Sequence, residues 1–230
     1  MLNLWLRMLL LACLTLSACQ MGTLKGTQPL TQPQAQATNN LKKTTLRHIA
    51  QGELTGLIAE NGALVWRGIP FAQPPVGHLR WKSPRAPRPW TGRLSAVKNS
   101  NACFQGMDLA APFKDDDGDG FVGSEDCLYL NIFAPANTSS ADRLPVMYWI
   151  YGGGNVGGHN ATPGYDGSVL AQKHQVVVVT VNYRVGMMGW FMHPAFAGPD
   201  AGPADRSGNW GTLDTIRGLE WVRDNIAAFG

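Results

Sequence analysis

Continuous apolar runs in the second half of the chain predict buried β-strands. Val146–Tyr151 and Val176–Val181 show no alternation between apolar and polar residues. Such runs are typical of strands covered on both faces of a parallel sheet. Glu125–Pro135 also has the composition of a strand. A strand, a glycine-rich loop, a second strand and a helical segment follow one another after residue 145, and this order is typical of α/β proteins.

The last periodic segment, Thr212–Ile226, predicts an amphipathic helix, because its apolar residues recur three and four positions apart. The predicted buried stripe consists of Leu213, Ile216, Leu219, Val222 and Ile226. Gly218 lies inside this helix and is expected to weaken it by about 1 kcal/mol relative to alanine. Near the other end of the body, Glu53–Arg67 alternates around Asn61-Gly62, which predicts a hairpin.

The first 19 residues have the pattern of an export signal. Arg7 precedes the apolar run Met8–Leu16, which is too short for a final membrane span. Leu-Ser-Ala-Cys at 16–19 resembles the lipobox of bacterial lipoproteins, and this resemblance implies that Cys19 is lipidated and anchors the protein to a membrane. Gln20 after the cysteine favours the outer membrane, facing the periplasm or the cell surface. An ordinary secretory signal is the alternative.

Composition divides the rest of the chain into a tether and a folded body. Residues 20–45 are rich in Gln, Thr, Pro, Ala and Asn and have almost no large apolar side chains, so they predict a flexible tether. Residues 46–230 form the predicted body. The net charge of +3 is misleading, because five of the 19 basic residues precede Glu53. The remaining 14 basic and 16 acidic residues give a net charge of −2, which argues against a nucleic-acid partner.

Two cysteines follow the leader, Cys103 and Cys127. In an exported chain two cysteines most simply form a disulfide, which would close a loop of about 25 residues and stabilise the fold by roughly 3 kcal/mol. Free thiols are the alternative.

An acidic stretch between the two cysteines resembles a calcium-binding loop. Asp115, Asp117 and Asp119 occupy positions one, three and five, a glycine follows at six, and Asp126 stands at twelve. Position twelve is usually glutamate, and no amphipathic helices flank the stretch. The sequence therefore leaves two readings open, a calcium site on these three aspartates or a solvated acidic loop.

The strand Val146–Tyr151 leads directly into Gly152-Gly153-Gly154. Glycines let the backbone turn sharply and bring bare N–H groups close to a ligand. Two N–H groups that point at one position can stabilise a developing oxyanion, which is a large contribution to acyl transfer. A glycine-rich turn without a ligand is the alternative.

Several stretches in this order closely resemble the type-B carboxylesterase family, which includes the cholinesterases and the bile-salt lipases. They are R-G-I-P-F-A-Q-P-P-V-G-H-L-R-W from Arg67, E-D-C-L-Y-L-N-I-F-A-P from Glu125, the strand and G-G-G loop from Pro145, V-V-V-V-T-V-N-Y-R-V-G from Val176, G-N-W-G-T-L-D from Gly208 and W-V-R-D-N-I-A-A-F-G from Trp221. The resemblance covers about residues 46–230. It implies an α/β-hydrolase fold, serine-dependent hydrolysis of small-molecule esters, and no cofactor apart from the calcium considered above.

The resemblance also assigns roles to individual residues. Gly153 and Gly154 match the two oxyanion-hole glycines, and Tyr151 before them is also found in cholinesterases. Asn155 stands where an aromatic residue is usual, which alters the expected shape of the acyl pocket.

A disulfide and an ion pair are implied as well. Cys103 and Cys127 match the first disulfide of the family, and Arg80 and Glu125 match a structural ion pair beneath it. The five histidines match no catalytic position; they are His48, His78, His159, His174 and His193.

No G-x-S-x-G nucleophile motif occurs in these 230 residues. By resemblance, the catalytic serine, acid and histidine would follow Gly230. The sequence therefore predicts the N-terminal part of a carboxylesterase, with an α/β-hydrolase fold truncated before the nucleophile elbow and no activity of its own. The alternatives are a non-catalytic surface or adhesion module of the same family and a pseudogene product.

Overall fold

The centre of the fold is a five-stranded sheet, seen in a computed structural model that describes residues 45–106, 118–196, 198–199 and 201–230. Cys19, with the predicted signal peptide and nearly all of the tether, lies outside the described residues, as do Asp115 and Asp117. The described strands are β1 (Leu46–Ile49), β2 (Gly52–Thr55), β3 (Leu57–Ile58), β4 (Leu64–Pro70), β5 (Arg93–Ser95), β6 (Gln105–Gly106), β7 (Phe121–Val122), β8 (Tyr129–Ala134), β9 (Val146–Ile150) and β10 (Val177–Val181). The described α-helices are α1 (Ser168–His174), α2 (Gly186–Gly189) and α3 (Trp210–Asn225).

The main sheet has the strand order β3-β4-β8-β10-β9. Its pairs are antiparallel except for β10 and β9, which run parallel in the register Val177↔Val146 to Val181↔Ile150. The predicted hairpin around Asn61-Gly62 is confirmed, because β3 and β4 pair across this turn. Smaller sheets are formed by β1-β2-β5 and by β6-β7.

Helices cover both faces of the main sheet, so the described chain has the layers of an α/β protein. On one face, Ala171 of α1 packs with Val65, Phe133 and Val178. The opposite face carries the larger core, whose members include Trp66, Trp221 and Phe229. In this core the Trp66 and Phe229 rings meet edge to face, with 4.9 Å between their centroids. Within the described residues, no helix combines the length and the apolar character that crossing a bilayer requires.

The strand β9 forms an edge of the main sheet. Four of its five residues are exposed on the surface, between 38% and 46% each; they are Val146, Met147, Trp149 and Ile150. The prediction of a strand buried on both faces is therefore wrong for β9, whereas it is confirmed for β10, in which all five residues are buried. The two strands have similar sequences, so the difference comes from their position in the sheet.

The helix α3 lies in the predicted segment, but the predicted buried stripe is confirmed only at Val222, which is 8% exposed, and at Ile226, which packs partly buried against the core. Ile216 and Leu219 are each 46% exposed, and Leu213 is only partly buried. Beside the large Trp221, the side facing the sheet carries small or polar residues, among them Gly211, Asp214, Gly218 and Asn225. Small residues on this side let the helix axis approach the strands closely, which an apolar stripe of long side chains would prevent.

Gly218 is the point of closest approach between α3 and the sheet. A Cβ atom at this position would overlap the hydroxyl oxygen of Tyr148 and lie 3.1 Å from Val181 Cγ2. That hydroxyl donates a hydrogen bond to the Thr215 carbonyl oxygen at 3.0 Å, so the Tyr148 side chain cannot move away without losing a partner. Gly218 therefore stabilises the packing of α3, although glycine weakens an isolated helix.

We expect Gly218→Ala to lower the free energy of unfolding by about 1–3 kcal/mol, because overpacking outweighs the gain in helix propensity. Urea denaturation followed by circular dichroism measures this change. Gly164→Ala is the matched control, since a Cβ atom at Gly164 meets nothing within 4 Å. An increase in stability for Gly218→Ala would contradict the packing argument.

Candidate active site

The parallel pair β9 and β10 brings two loops to the same edge of the sheet. Both strands end in register at Ile150 and Val181, so the segments that follow them start side by side. Segments after the carboxyl ends of parallel strands are the usual place for binding sites in α/β folds. Here they are Tyr151–Gly158, which we call the glycine loop, and Asn182–Gly186.

Gly153 and Gly154 form the tip of the glycine loop and are exposed. Their φ angles are +141° and +59°, in the region that side chains disfavour. The Gly153 carbonyl oxygen accepts a hydrogen bond from the Val156 N–H at 2.9 Å, which closes a tight turn. A Cβ atom at Gly153 would overlap the carbonyl oxygen of Gly157, so this position has room only for glycine.

The N–H groups of Gly153 and Gly154 are available for a ligand. Within the described part of the chain, neither N–H donates a hydrogen bond. Two successive N–H groups in a turn can make a small anion-binding concavity. This arrangement can accept the negative charge that develops on a carbonyl oxygen during acyl transfer.

A reciprocal pair of tyrosines holds the start of the glycine loop. The Tyr151 hydroxyl donates to the Tyr183 carbonyl oxygen at 3.0 Å, and the Tyr183 hydroxyl donates to the Tyr151 carbonyl oxygen at 2.7 Å. Their rings stack with centroids 4.4 Å apart. Burial raises the pKa of the Tyr151 phenol well above its usual value, so the hydroxyl is protonated at neutral pH and donates its hydrogen bond.

A second contact joins the glycine loop to α2. The Gly186 N–H donates to the Asn155 carbonyl oxygen at 2.7 Å. Asn155 has a φ of +64°, and its side chain is exposed. The backbone of Asn155 therefore helps to shape the loop, while its short polar side chain leaves the adjacent surface open.

A buried ion pair fixes the segment after β10 to α3. Arg184 donates to the Asp214 carboxylate through Nε and Nη2 at 2.8 Å each, and the Arg184 backbone N–H adds a third bond at 3.0 Å. The side chains are 3% and 0% exposed. Both residues lie inside the family motifs noted above, yet nothing in one sequence indicates that these two motifs touch.

The disulfide between Cys103 and Cys127 is present, and both cysteines are buried. Beside them, Arg80 donates to the Glu125 carboxylate through Nε at 2.6 Å and Nη2 at 2.5 Å. Arg80 and Glu125 line the same small cavity as the two cysteines. These four residues brace the segment that leads into β8.

Of the three calcium candidates, the structure describes only Asp119. Asp119 is exposed, and its carboxylate accepts the Phe121 N–H at 2.8 Å, while the other two calcium candidates lie outside the described residues. Among the residues that the structure describes, no group of three His, Cys, Asp or Glu side chains could hold a metal. Calcium binding stays a prediction. In the same part of the chain, no hydrogen bond joins a serine hydroxyl to a histidine ring.

His159 follows the glycine loop and is 1% exposed. Its Nδ1 accepts the Ala161 N–H at 3.1 Å, which requires a neutral ring. Burial lowers the pKa of His159 to about 4, and this effect outweighs nearby backbone carbonyl groups that favour the charged form. His159 therefore fixes the end of the loop as an uncharged side chain.

The layered sheet with a glycine turn after β9 is that of a protein of the α/β-hydrolase fold, and solved structures show this fold. A solved carboxylesterase from Geobacillus stearothermophilus superposes with a TM-score of 0.68 at 38% identity, over 81% of this chain and 35% of that one. The sequence profile described as "Carboxylesterase family" matches residues 43–230. The chain belongs to the carboxylesterase family.

Curated relatives extend this similarity. The chain is 45% identical over 186 residues to the fumonisin B1 esterase of Sphingopyxis macrogoltabida, a match that covers 80% of this chain and 32% of that protein. It is 43% identical over 177 residues to the para-nitrobenzyl esterase of Bacillus subtilis, covering 74% of this chain and 33% of that protein. The chain thus spans about a third of the length of the curated relatives it matches.

The low pKa of His159 predicts a loss of stability in acid. The unfolded chain binds a proton near the ordinary histidine pKa of 6.5, whereas the folded chain binds it only near 4. The part of the free energy of unfolding that depends on an uncharged His159 is fully present above pH 6.5. It is lost as the pH falls towards about 4, and the total loss is about 3 kcal/mol.

Urea denaturation at a series of pH values measures this effect. His159→Asn keeps an acceptor for the Ala161 N–H but does not titrate, so we expect a smaller loss of stability in this pH range. His174→Gln, which alters an exposed histidine of α1, is the matched control and should behave like the unmodified chain. Equal acid sensitivity in His159→Asn would contradict the prediction.

Proposed function

We propose that this chain provides the oxyanion-hole portion of a carboxylic-ester hydrolase that works by serine acyl transfer. The observation that carries the proposal is the pair of N–H groups at Gly153 and Gly154, which donate no hydrogen bond within the described chain and belong to a turn that has room only for glycine at its first position. Membership of the carboxylesterase family supports the same chemistry.

In this reaction a serine hydroxyl attacks the ester carbonyl carbon while a histidine takes its proton, and an acidic residue orients the histidine. The Gly153 and Gly154 N–H groups donate hydrogen bonds to the oxyanion of the tetrahedral intermediate. The 230 residues contain no G-x-S-x-G motif. We therefore assign the nucleophile, its base and the acid to polypeptide outside these residues.

The proposed substrates are small-molecule carboxylic esters. The names of two relatives, fumonisin B1 esterase and para-nitrobenzyl esterase, support this class. Asn155 and the exposed Val156 lie beside the proposed oxyanion hole, so they are candidates for contacts with the acyl group.

A chimera tests the function. Residues 20–230 are joined to the part of the Bacillus subtilis para-nitrobenzyl esterase that follows its match to this chain, and hydrolysis of p-nitrophenyl acetate is measured. We expect activity in the chimera and none in residues 20–230 alone. Gly153→Ala in the chimera should lower kcat about 100-fold or more, since it displaces an oxyanion donor.

Gly164→Ala serves as the control in the chimera, because its Cβ meets no atom within 4 Å. It should leave kcat within about twofold of the parent value, as expected for a surface change. Unchanged kcat in a folded Gly153→Ala chimera would rule out the assigned oxyanion hole, and turnover by residues 20–230 alone would rule out an external nucleophile.

For the N-terminal region we propose export followed by lipid attachment at Cys19, with the mature protein on the outer membrane. The support is the sequence pattern Leu-Ser-Ala-Cys after an apolar run, with Gln20 next. We expect labelled palmitate to be incorporated when the gene is expressed in a Gram-negative host, and Cys19→Ser to abolish labelling and release the protein from the membrane fraction. Cys13→Ser is the control. Labelling that persists in Cys19→Ser would overturn the assignment.

A further inference from the structure

The glycine loop contains an exposed part held between two fixed ends. Residues 152–156 are exposed, whereas Tyr151 before them and His159 after them are buried. The two N–H groups assigned to the oxyanion lie in the exposed part. Their position therefore depends on what holds each end, and the start is held by the Tyr151–Tyr183 pair described above.

Near the far end of the loop, Gln105 holds Gly158, one residue before His159. Its Oε1 accepts the Gly158 N–H at 2.7 Å, and its Nε2 donates to the Gly158 carbonyl oxygen at 2.9 Å. Since one partner is a donor and the other an acceptor, the amide of Gln105 has only one orientation that satisfies both. Gln105 is 4% exposed, and its two bonds to Gly158 are partly buried.

Gln105 is itself fixed by the disulfide-closed segment. Its Nε2 also donates to the Cys103 carbonyl oxygen at 2.8 Å. Gln105 belongs to β6, which pairs with Val122 of β7, and a further bridge joins Cys103 to Ser124. The amide of Gln105 thus connects a covalently closed frame to the end of the glycine loop, 53 residues further along the chain.

Gly158 transmits this hold to the rest of the loop. Its Cα lies against the Tyr151 ring, so a Cβ atom at this position would overlap ring carbons. Gly157 and Val156, just before it, donate to the Gly153 carbonyl oxygen at 3.4 and 2.9 Å. A shift of Gly158 therefore moves the turn that presents the two N–H groups.

We propose that Gln105 is a positioning residue for the oxyanion hole, which sets the place of the Gly153 and Gly154 N–H groups by holding Gly158. This inference rests on the proposed function, because that function assigns the two N–H groups to an oxyanion hole. The hold of Gln105 on the loop is tested without ester hydrolysis. Failure of the proposed function would appear in the chimera assay, whereas failure of this inference appears in the measurement below.

Residue-resolved amide hydrogen exchange, followed by NMR on residues 20–230, measures the hold directly. Gln105→Met keeps the length of the side chain and removes both bonds to Gly158. We expect exchange at Val156, Gly157 and Gly158 to rise at least about fivefold, as for the loss of a buried hydrogen bond. Amides of β8 and β10 should change less than about twofold, because the fold itself persists.

Gln105→Glu is the second variant. Its carboxylate still accepts the Gly158 N–H but cannot donate to the Gly158 carbonyl oxygen, so exchange at Gly158 should lie between that of the unmodified chain and that of Gln105→Met. Gln172→Met is the matched control. Gln172 Oε1 accepts the Ala136 N–H at 2.8 Å, so this change should raise exchange at Ala136 and leave the glycine loop unaffected.

Three results would overturn the inference. The first is unprotected Gly158 exchange in the unmodified chain, and the second is unchanged loop exchange in Gln105→Met. The third is a rise in Gln105→Met that is equal in the loop and in β8 and β10, which would make Gln105 a residue of general stability. If Gln105→Met does not fold, the same criteria apply to Gln105→Glu: a rise in Gly158 exchange that is confined to the loop supports the inference, and unchanged loop exchange overturns it.

Discussion

The N–H groups of Gly153 and Gly154 donate no hydrogen bond within the described chain, and the surrounding contacts hold the turn that carries them. Neither group adds to the internal bonds of the turn, which run from the Val156 and Gly157 N–H groups to the Gly153 carbonyl oxygen, so the position of the turn in the fold depends on its two ends. The hold comes from outside the turn, through the Tyr151–Tyr183 pair at one end and Gln105 at the other. Since the tip is open to water, leaving the N–H groups free carries little cost until a ligand displaces that water.

Polar contacts perform most of this positioning, although the surrounding core is apolar. Arg184 and Asp214 join the segment after β10 to α3, and the Tyr148 hydroxyl joins β9 to the same helix. A directional hydrogen bond or ion pair fixes an orientation that apolar contact alone leaves adjustable. The two strands that carry the loops are thus oriented by bonds at their ends, while burial of side chains such as Trp221 stabilises the sheet between them.

Local pattern was sufficient for elements whose character depends on neighbours in sequence. The hairpin at Asn61-Gly62, the strand β10 and the extent of α3 follow from turn residues, β-branched runs and helical periodicity. The burial of β9 and the buried side of α3 could not be obtained in this way, because each depends on which element lies alongside. Gly218 shows the reason most clearly. Glycine destabilises an isolated helix. Here it stabilises the packing, because the Tyr148 hydroxyl lies where a Cβ atom would be.

The same distinction applies to the site. The glycines of the loop were evident from their sequence, whereas Gln105 carries no local signal and becomes meaningful only through its contact with Gly158.

The absence of space at Gly153 has a consequence at the level of the gene. Every glycine codon begins with two guanines, and any single-base change in either of them gives a residue with a Cβ atom or a stop codon. Each such residue would meet the Gly157 carbonyl oxygen. Only the third base of this codon can therefore change without placing a Cβ atom in this space. At Gly154 a Cβ atom would meet no neighbouring atom, so packing leaves its codon unconstrained and the positive φ angle is what favours glycine there.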